Sequence, residues 1–317
     1  MSLFTKEFKT ILHSKRANIF FLEKCRILVK DGRVVYLTEE NKRNAYYNIP
    51  IANTTVILLG IGTSITQAAV RMLASASVLF GFSGNGGTPL IAGNEVEWIC
   101  PQSEYRPTEY MQGWMKFWFD ESKRLAVAQS FQKARITFLK RIWSKDRDLK
   151  QEGFILDDFA IDNLLAGFYS TIDTAKKTGD LLQQEALLTK QLYKISAQIV
   201  KINNFTRQRE ANDLANILLN HGNYLAYGLA ATTLWVLGIS HSFAVMHGKT
   251  RRGALVFDVA DLIKDAIVLP WSFIAAKEQM REQEFRQQIL QKFTEHKVLD
   301  FMFETVKDVA SRDSLEL

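Results

Sequence analysis

Over the first hundred residues apolar positions come in short runs that alternate with polar ones, as in "RILVKDGRVVYL", where β-branched residues flank an Asp-Gly pair. A period of two predicts half-buried strands, and Asp31-Gly32 predicts a two-residue hairpin turn between them. The stretch "TTVILLGIGTSITQAAVRMLASASVLFGFSGNGG" then reads as strand, glycine turn, helix and strand, with Thr63 or Ser64 capping the helix. From about residue 106 the apolar spacing changes to the helical three-and-four pattern and keeps it to the C-terminus. The chain is therefore expected to be α+β: a small β-rich N-terminal domain over residues 1–105, followed by a larger all-α domain over residues 106–317.

Two helical segments carry more than periodicity. In "KRLAVAQSFQKARITFLKRIW", Val127, Phe131, Ala134, Phe138 and Ile142 make one apolar stripe, while Lys133, Lys140 and Arg147 recur opposite it. Those cations are either a solvated face or a track for phosphates. The segment "NYLAYGLAATTLWVLGISHSFAVM", residues 223–246, contains no Asp, Glu, Lys or Arg and is nominally long enough to span a bilayer. Asn223, Gly238, His241 and several hydroxyls interrupt it, so it is expected to be a central buried helix, with no membrane partner.

Composition narrows the class. An apolar fraction of 47% over 317 residues is that of a globular protein, and 40 Lys and Arg against 34 Asp and Glu give +6, a mild lean toward polyanions. Cys25 and Cys100 lie far apart without metal-ligand spacing, and the N-terminus lacks a signal-peptide core, so a cytoplasmic protein is expected. The glycine turn is not a dinucleotide fingerprint, because Ile65 stands where the third glycine belongs and no acidic residue ends the second strand. No serine elbow, zinc-protease helix or phosphate-binding P-loop is present.

The chemistry-bearing residues concentrate in the helical half. Within "MHGKTRRGALVFDVADLIKD", Asp258, Asp261 and Asp265 fall on one narrow helical arc beside Leu255, Val259, Leu262 and Ala266. Like charges so close are tolerated on an exposed acidic face, or are neutralised by a divalent cation. His247 precedes that helix across the turn-like "GKTRRG", which can fold it back toward Asp261. In "LLQQEALLTKQLYKISAQI", Glu185 sits on the stripe of Leu181, Leu188, Leu192, Ile195 and Ile199. A carboxylate on a core-facing position must be paired, protonated or metal-bound. Asn212, Asn216, Asn220 and Asn223 share one face, either a polar seam between helices or a support for metal ligands or a nucleic-acid backbone. Lys249, Arg251 and Arg252 place phosphate-binding charge beside His247. Mixed Glu, His and Asp ligands next to basic residues point to phosphodiester chemistry.

Taken in order, these motifs resemble the CRISPR adaptation integrase, a metal-dependent DNA endonuclease family, over nearly the whole chain. The stretch "IPIANTTVILLGIGTSITQAAVRMLASASVLFGFSGNGGTPL" is similar to the family's N-terminal β-domain signature, most like its type I-F members. "RLAVAQSFQKARITFLKRI" is similar to its first long helix, "QEALLTKQLYKI" to its glutamate motif, and "NDLANILLNHGNYLAYG" to its asparagine-bearing helix. "MHGKTRRGALVFDVADLIKD" resembles its histidine and aspartate motif. The resemblance implies that Glu185, His247 and Asp261 are the catalytic residues and ligands of Mg²⁺ or Mn²⁺, without departure at those positions. Asp258 and Asn216 then take supporting roles, and Lys249, Arg251, Arg252, Lys133 and Lys140 are candidates for DNA contact. It also implies a homodimer formed through the N-terminal domains, prespacer DNA and the CRISPR leader-repeat as substrates, and a second CRISPR adaptation protein as partner, fused in type I-F to the helicase-nuclease. A hydrolytic, structure-specific nuclease using the same site is the alternative, and a non-catalytic DNA-binding scaffold is a third class.

Overall fold

In the computed structural model the alternating runs of the first hundred residues form two four-stranded sheets and a two-stranded one. Residues 16, 18–40, 43–83, 90, 91, 94, 95, 97–99, 107–156, 159–208, 210, 213–248 and 253–311 are described. The chain divides into two units, Met1–Tyr105 and Arg106–Leu317. Strands β1 (Asn18–Leu22), β2 (Arg26–Lys30), β3 (Arg33–Glu40), β4 (Arg43–Asn48), β5 (Thr54–Leu59) and β6 (Ser64–Ile65) precede helix α1 (Gln67–Ser75). Strand β7 (Leu79–Phe82) follows, then β8 (Leu90–Ile91), β9 (Asn94–Glu95) and β10 (Glu97–Ile99). One sheet has the order β1-β5-β7-β10, the second β4-β3-β2-β6, and β8 pairs with β9. Strand β5 is buried along its whole length between its parallel neighbours β1 and β7, which is why it reads as an unbroken apolar run. Ile27, Val34, Ile57, Leu73 and Phe80 pack between the elements as the core of this unit.

The Asp-Gly hairpin forms as expected: Lys30 pairs with Arg33, and Asp31 and Gly32 take φ of 50° and 70°, the left-handed pair that matches strand twist. The α1 cap lies elsewhere than expected. Ser64 and Ile65 first pair with Arg26 and Ile27, and this extra strand delays the helix. Thr66 is the cap, its hydroxyl accepting from the Ala69 N–H at 3.3 Å, while the Thr63 hydroxyl donates to the Gly60 carbonyl.

The second unit is helical. Helices α2 (Glu109–Trp118), α3 (Glu121–Lys145), α4 (Arg147–Gln151), α5 (Phe159–Ile172) and α6 (Thr178–Ile199) lead to the central α7 (Leu214–Val236). Then come α8 (Ala254–Ile263), a π-helical turn over Lys264–Val268, α9 (Leu269–Lys277), α10 (Glu282–Glu295) and α11 (Val298–Ser311). The α3 stripe packs inward, with Val127, Phe131, Phe138 and Ile142 buried. Arg147 leaves the register of Lys133 and Lys140, because Asp146 ends α3 and caps α4 by accepting from the Asp148 and Leu149 N–H groups. Lys133 and Lys140 themselves face Asp173 and Asp162, at 2.5 and 3.0 Å.

Residues 223–246 are not one helix. Helix α7 ends at Val236, Gly238 takes φ of 69°, and residues beyond it form an irregular segment that carries His247. Among the described residues no helix is long and apolar enough to cross a membrane. The π-turn between α8 and α9 has a cause that joins a proline in its own sequence to a contact from α3. Pro270 has no N–H to return to the Ala266 carbonyl, which instead accepts from the Trp143 indole at 3.1 Å, and Leu269 bonds back to Lys264. Gly222 on α7 permits close approach to this turn: a Cβ there would stand 2.5 Å from Val268 Cγ1.

Candidate metal centre

Three elements bring the sequence candidates together. Glu185 lies on the inward stripe of α6, with Leu181, Leu188 and Leu192 around it, and is 8% exposed. Asp258 and Asp261 are both buried on α8. His247 folds back over α8, so that its Nε2 stands 3.9 Å from Asp261 Oδ2. Glu185, His247, Asp261 and Asn223 all line one cavity of about 140 Å³.

The fold-back is held by Asp258. Its Oδ2 accepts from the Val245 and Met246 N–H groups at 2.8 and 3.2 Å, and its Oδ1 from the His247 N–H at 3.0 Å. The same Oδ1 lies 2.7 Å from His247 Nδ1. A carboxylate at Nδ1 favours the tautomer with the proton there, leaving the Nε2 lone pair toward Asp261. On the other side of the segment, the indoles of Trp114 and Trp118 on α2 donate to the carbonyls of Phe243 and Ala244 at 2.9 and 2.7 Å.

The three aspartates therefore do not form one exposed acidic face. Asp258 shapes the histidine segment, Asp261 faces the cavity, and Asp265 pairs with Arg135. Arg135 of α3 is the group that the apolar-stripe reading passed over. It donates through Nε to Asp265 at 2.8 Å and lies 2.6 Å from Glu185 Oε1 through Nη1. Lys264 forms a close ion pair with Asp261. Arg135 sits four residues after Phe131 and four before Leu139, both buried, so the signal was the one that exposed Glu185: a charge between core positions one helical turn away.

The charges tune one another. Burial pushes the Glu185 carboxyl up, opposed by Arg135 and reinforced by Asp261. Burial also works against the Asp261 carboxylate, but Lys264, Arg135 and His247 outweigh it and hold the group below the usual range. For His247, burial is outweighed by the hydrogen bond to Asp258 and by the charges of Asp261, Asp258 and Glu185, which raise its pKa.

One pair of these donors has the spacing for a shared divalent cation. Two ligands of one ion, each at about 2.1 Å, are at most about 4.2 Å apart, and the 3.9 Å between His247 Nε2 and Asp261 Oδ2 lies inside that span. Asp146, Glu295 and His296 offer a tighter cluster elsewhere, with ligand atoms within 4.8 Å of one another. There, however, Asp146 caps α4 and accepts from His296 Nε2 at 2.7 Å, while Lys292 reaches Asp146 and Asp148 at 3.3 and 2.7 Å. That cluster already works as a clamp between the start of α4 and α10.

The remaining candidates take other places. Asn216 spends both ends of its amide on the segment before α7: it accepts from Arg207 and the Gln208 N–H and donates to the Thr206 carbonyl and Asp213. Asn220 also accepts from Arg207, at 2.6 Å. Asn212, Lys249, Arg251 and Arg252 lie outside the described residues. Glu185 and His247 also open onto a cleft of about 1230 Å³ lined by Lys190, Lys194, Lys201 and Arg207. None of these four cations stands out by helical periodicity, because three of them lie on or just past the solvent side of α6 and the fourth on an irregular segment.

The chain is 54% identical over 312 residues to the CRISPR-associated endonuclease Cas1 of Pectobacterium atrosepticum, covering 96% of each. It is 53% identical over 315 residues to the protein of the same name from Pseudomonas aeruginosa, covering 98% of this chain and 97% of that one. Among solved structures, a casposase bound to its integration product superposes with a TM-score of 0.68 at 14% identity, covering 94% and 92% of the two chains. A partial Cas6-RT-Cas1–Cas2 complex gives 0.59 at 12%, covering 93% and 95%. The family model described as CRISPR associated protein Cas1 matches residues 19–299, and this chain belongs to that family.

Proposed function

We propose that this chain is a divalent-metal-dependent DNA endonuclease and integrase of CRISPR adaptation, which joins the 3′-hydroxyl ends of prespacer DNA to the leader-repeat of a CRISPR array. The observation that carries this reading is the convergence of Glu185, His247 and Asp261, from three separate elements, on one cavity. These three residues are the ligands of Mg²⁺ or Mn²⁺, and the imidazole nitrogen makes Mn²⁺ as suitable as Mg²⁺. The bound ion supplies Lewis-acid activation of the attacking hydroxyl and charge neutralisation at phosphorus.

Asp258 holds His247 with Nε2 free, and the cations of the cleft receive the DNA backbone on its way to the cavity. Lys249, Arg251 and Arg252 are assigned phosphate contacts beside His247. Lys133 and Lys140 are weaker candidates, because DNA must compete there with Asp173 and Asp162. The reaction is a transesterification: the prespacer 3′-oxygen bonds to a target phosphorus as the target strand's 3′-oxygen leaves with a proton. One phosphodiester replaces another, so no nucleotide cofactor is needed. The N-terminal domains pair to form a homodimer, and two dimers flank the second CRISPR adaptation protein, fused in the type I-F arrangement to the helicase-nuclease. The setting is the cytoplasm of a prokaryotic cell.

The test incubates the protein with Mg²⁺ or Mn²⁺, a short prespacer duplex and a supercoiled plasmid bearing a repeat, with and without the partner. Covalent joining by wild type, lost in Asp261→Ala and His247→Ala, is the expected result. Cleavage without joining, even with the partner present, assigns the hydrolytic nuclease instead. Joining that survives both substitutions refutes the ligand assignment.

A further inference from the structure

Two cations stand among the proposed ligands, and they are held very differently. Arg135 donates to Asp265 through Nε at 2.8 Å, to Thr189 Oγ1 at 3.1 Å and to Gln132 Oε1 at 3.4 Å. Only its Nη1 also reaches Glu185. A planar fork fixed on several acceptors stays in place when one contact changes. Among the described residues Lys264 forms its ion pair with Asp261 and meets the face of the Tyr227 ring at 5.3 Å. It opens the π-helical turn, lines the same cavity as Glu185 and His247, and carries its charge on a flexible four-carbon stem.

We infer that Lys264 is a resident counter-ion for Asp261 that a divalent cation must displace, so that metal loading and the Lys264–Asp261 ion pair exclude one another. The inference rests on the reading of Glu185, His247 and Asp261 as the metal ligands. Without a metal, a buried Asp261 needs a cation, and Lys264 supplies it on the carboxylate oxygen Oδ1. An ion gripped between Asp261 and His247 brings two more positive charges beside that ammonium. The repulsion drives the Lys264 ammonium off Asp261 toward the Tyr227 ring, whose face it already meets at 5.3 Å. Lys264 thereby stabilises the metal-free enzyme and weakens its hold on the metal, so that the site loads at ordinary Mg²⁺ or Mn²⁺ concentrations without retaining the ion tightly.

The test measures Mn²⁺ affinity by calorimetry, and thermal unfolding in chelator, for wild type, Lys264→Met, Lys264→Gln, Lys264→Arg and Asp261→Ala. Lys264→Met and Lys264→Gln are expected to melt lower in chelator yet bind Mn²⁺ about tenfold tighter, the scale on which a neighbouring opposite charge changes a carboxylate's affinity for a proton. Lys264→Arg is expected not to gain affinity. Affinity unchanged or weakened in both neutral variants, with binding lost in Asp261→Ala, overturns the counter-ion role and leaves the ligand assignment standing. Binding unchanged in Asp261→Ala overturns the ligand assignment itself. Lysine side-chain NMR of the wild type covers the case in which the variants do not fold: the Lys264 ammonium resonance is expected to shift at saturating Mg²⁺, and an unmoved resonance overturns the inference.

Discussion

Replacing Asp258 by asparagine separates shape from charge at the point where the histidine segment is fastened. The carboxylate oxygens accept from three backbone N–H groups and face His247 Nδ1, two contacts on each oxygen. An asparagine amide offers one oxygen and one NH₂ group, so either orientation sets donors against donors. With the NH₂ in place of Oδ2 it meets the Val245 and Met246 N–H groups. With the NH₂ in place of Oδ1 it meets the His247 N–H and turns Nδ1 into an acceptor, which moves the ring proton to Nε2, where a metal needs a lone pair. Hydrogen bonds to a charged acceptor contribute about 1.5–3 kcal/mol each. The first orientation loses two contacts and the second one, which predicts a fall in unfolding free energy of about 1.5–6 kcal/mol. Loss of the partner that orients a ligating histidine predicts a decline in metal affinity of about 10–100-fold. Urea unfolding in chelator reads the first quantity, Mn²⁺ calorimetry the second, and ¹⁵N NMR the His247 tautomer. An Asp258→Asn protein with wild-type stability, wild-type Mn²⁺ affinity and an Nδ1-protonated His247 would refute the reasoning.

Arg135→Met leaves Glu185 and Asp265 buried without their shared cation, and chemical denaturation is expected to register a loss of about 3–5 kcal/mol; an unchanged midpoint and slope would contradict it. The raised pKa of His247 means that protons compete with metal below that value, so Mn²⁺ affinity is expected to climb as pH rises through it, with proton release on binding. In the metal-free protein the sign reverses: the stability contributed by charged His247 is complete below its ordinary 6.5 and is lost as pH rises through the raised value. Melting curves with and without Mn²⁺ should thus diverge with rising pH, and parallel curves would count against the assignment. Asp146, lowered to about 2 by His296, Leu149 and Lys292 against the opposing effect of burial, contributes stability that is present above 3.8 and lost as pH falls toward 2. Asp146→Asn is expected to flatten that acid limb, and an acid limb as steep as wild type would exclude the clamp.

Much of this architecture is legible in the order of residues, because period and turn chemistry are local. Alternation and the Asp31-Gly32 pair specify the hairpin, and the three-and-four spacing after residue 106 specifies the helices. Glu185 betrays itself by lying on its own helix's apolar stripe, a local contradiction that needs a non-local answer. That answer is tertiary. Only the folded chain brings Arg135 from α3 to Glu185 and Asp265, and only the packing of the segment before α8 separates Asp258, Asp261 and Asp265 into three tasks that a helical wheel cannot distinguish. The π-turn at Lys264 depends on Pro270 and on an indole from α3, and the end of α7 at Gly238 turns an apparently continuous apolar stretch into the segment that delivers His247. Which side chains oppose a buried charge is decided by contacts between elements distant in sequence, whose free energy no local pattern encodes.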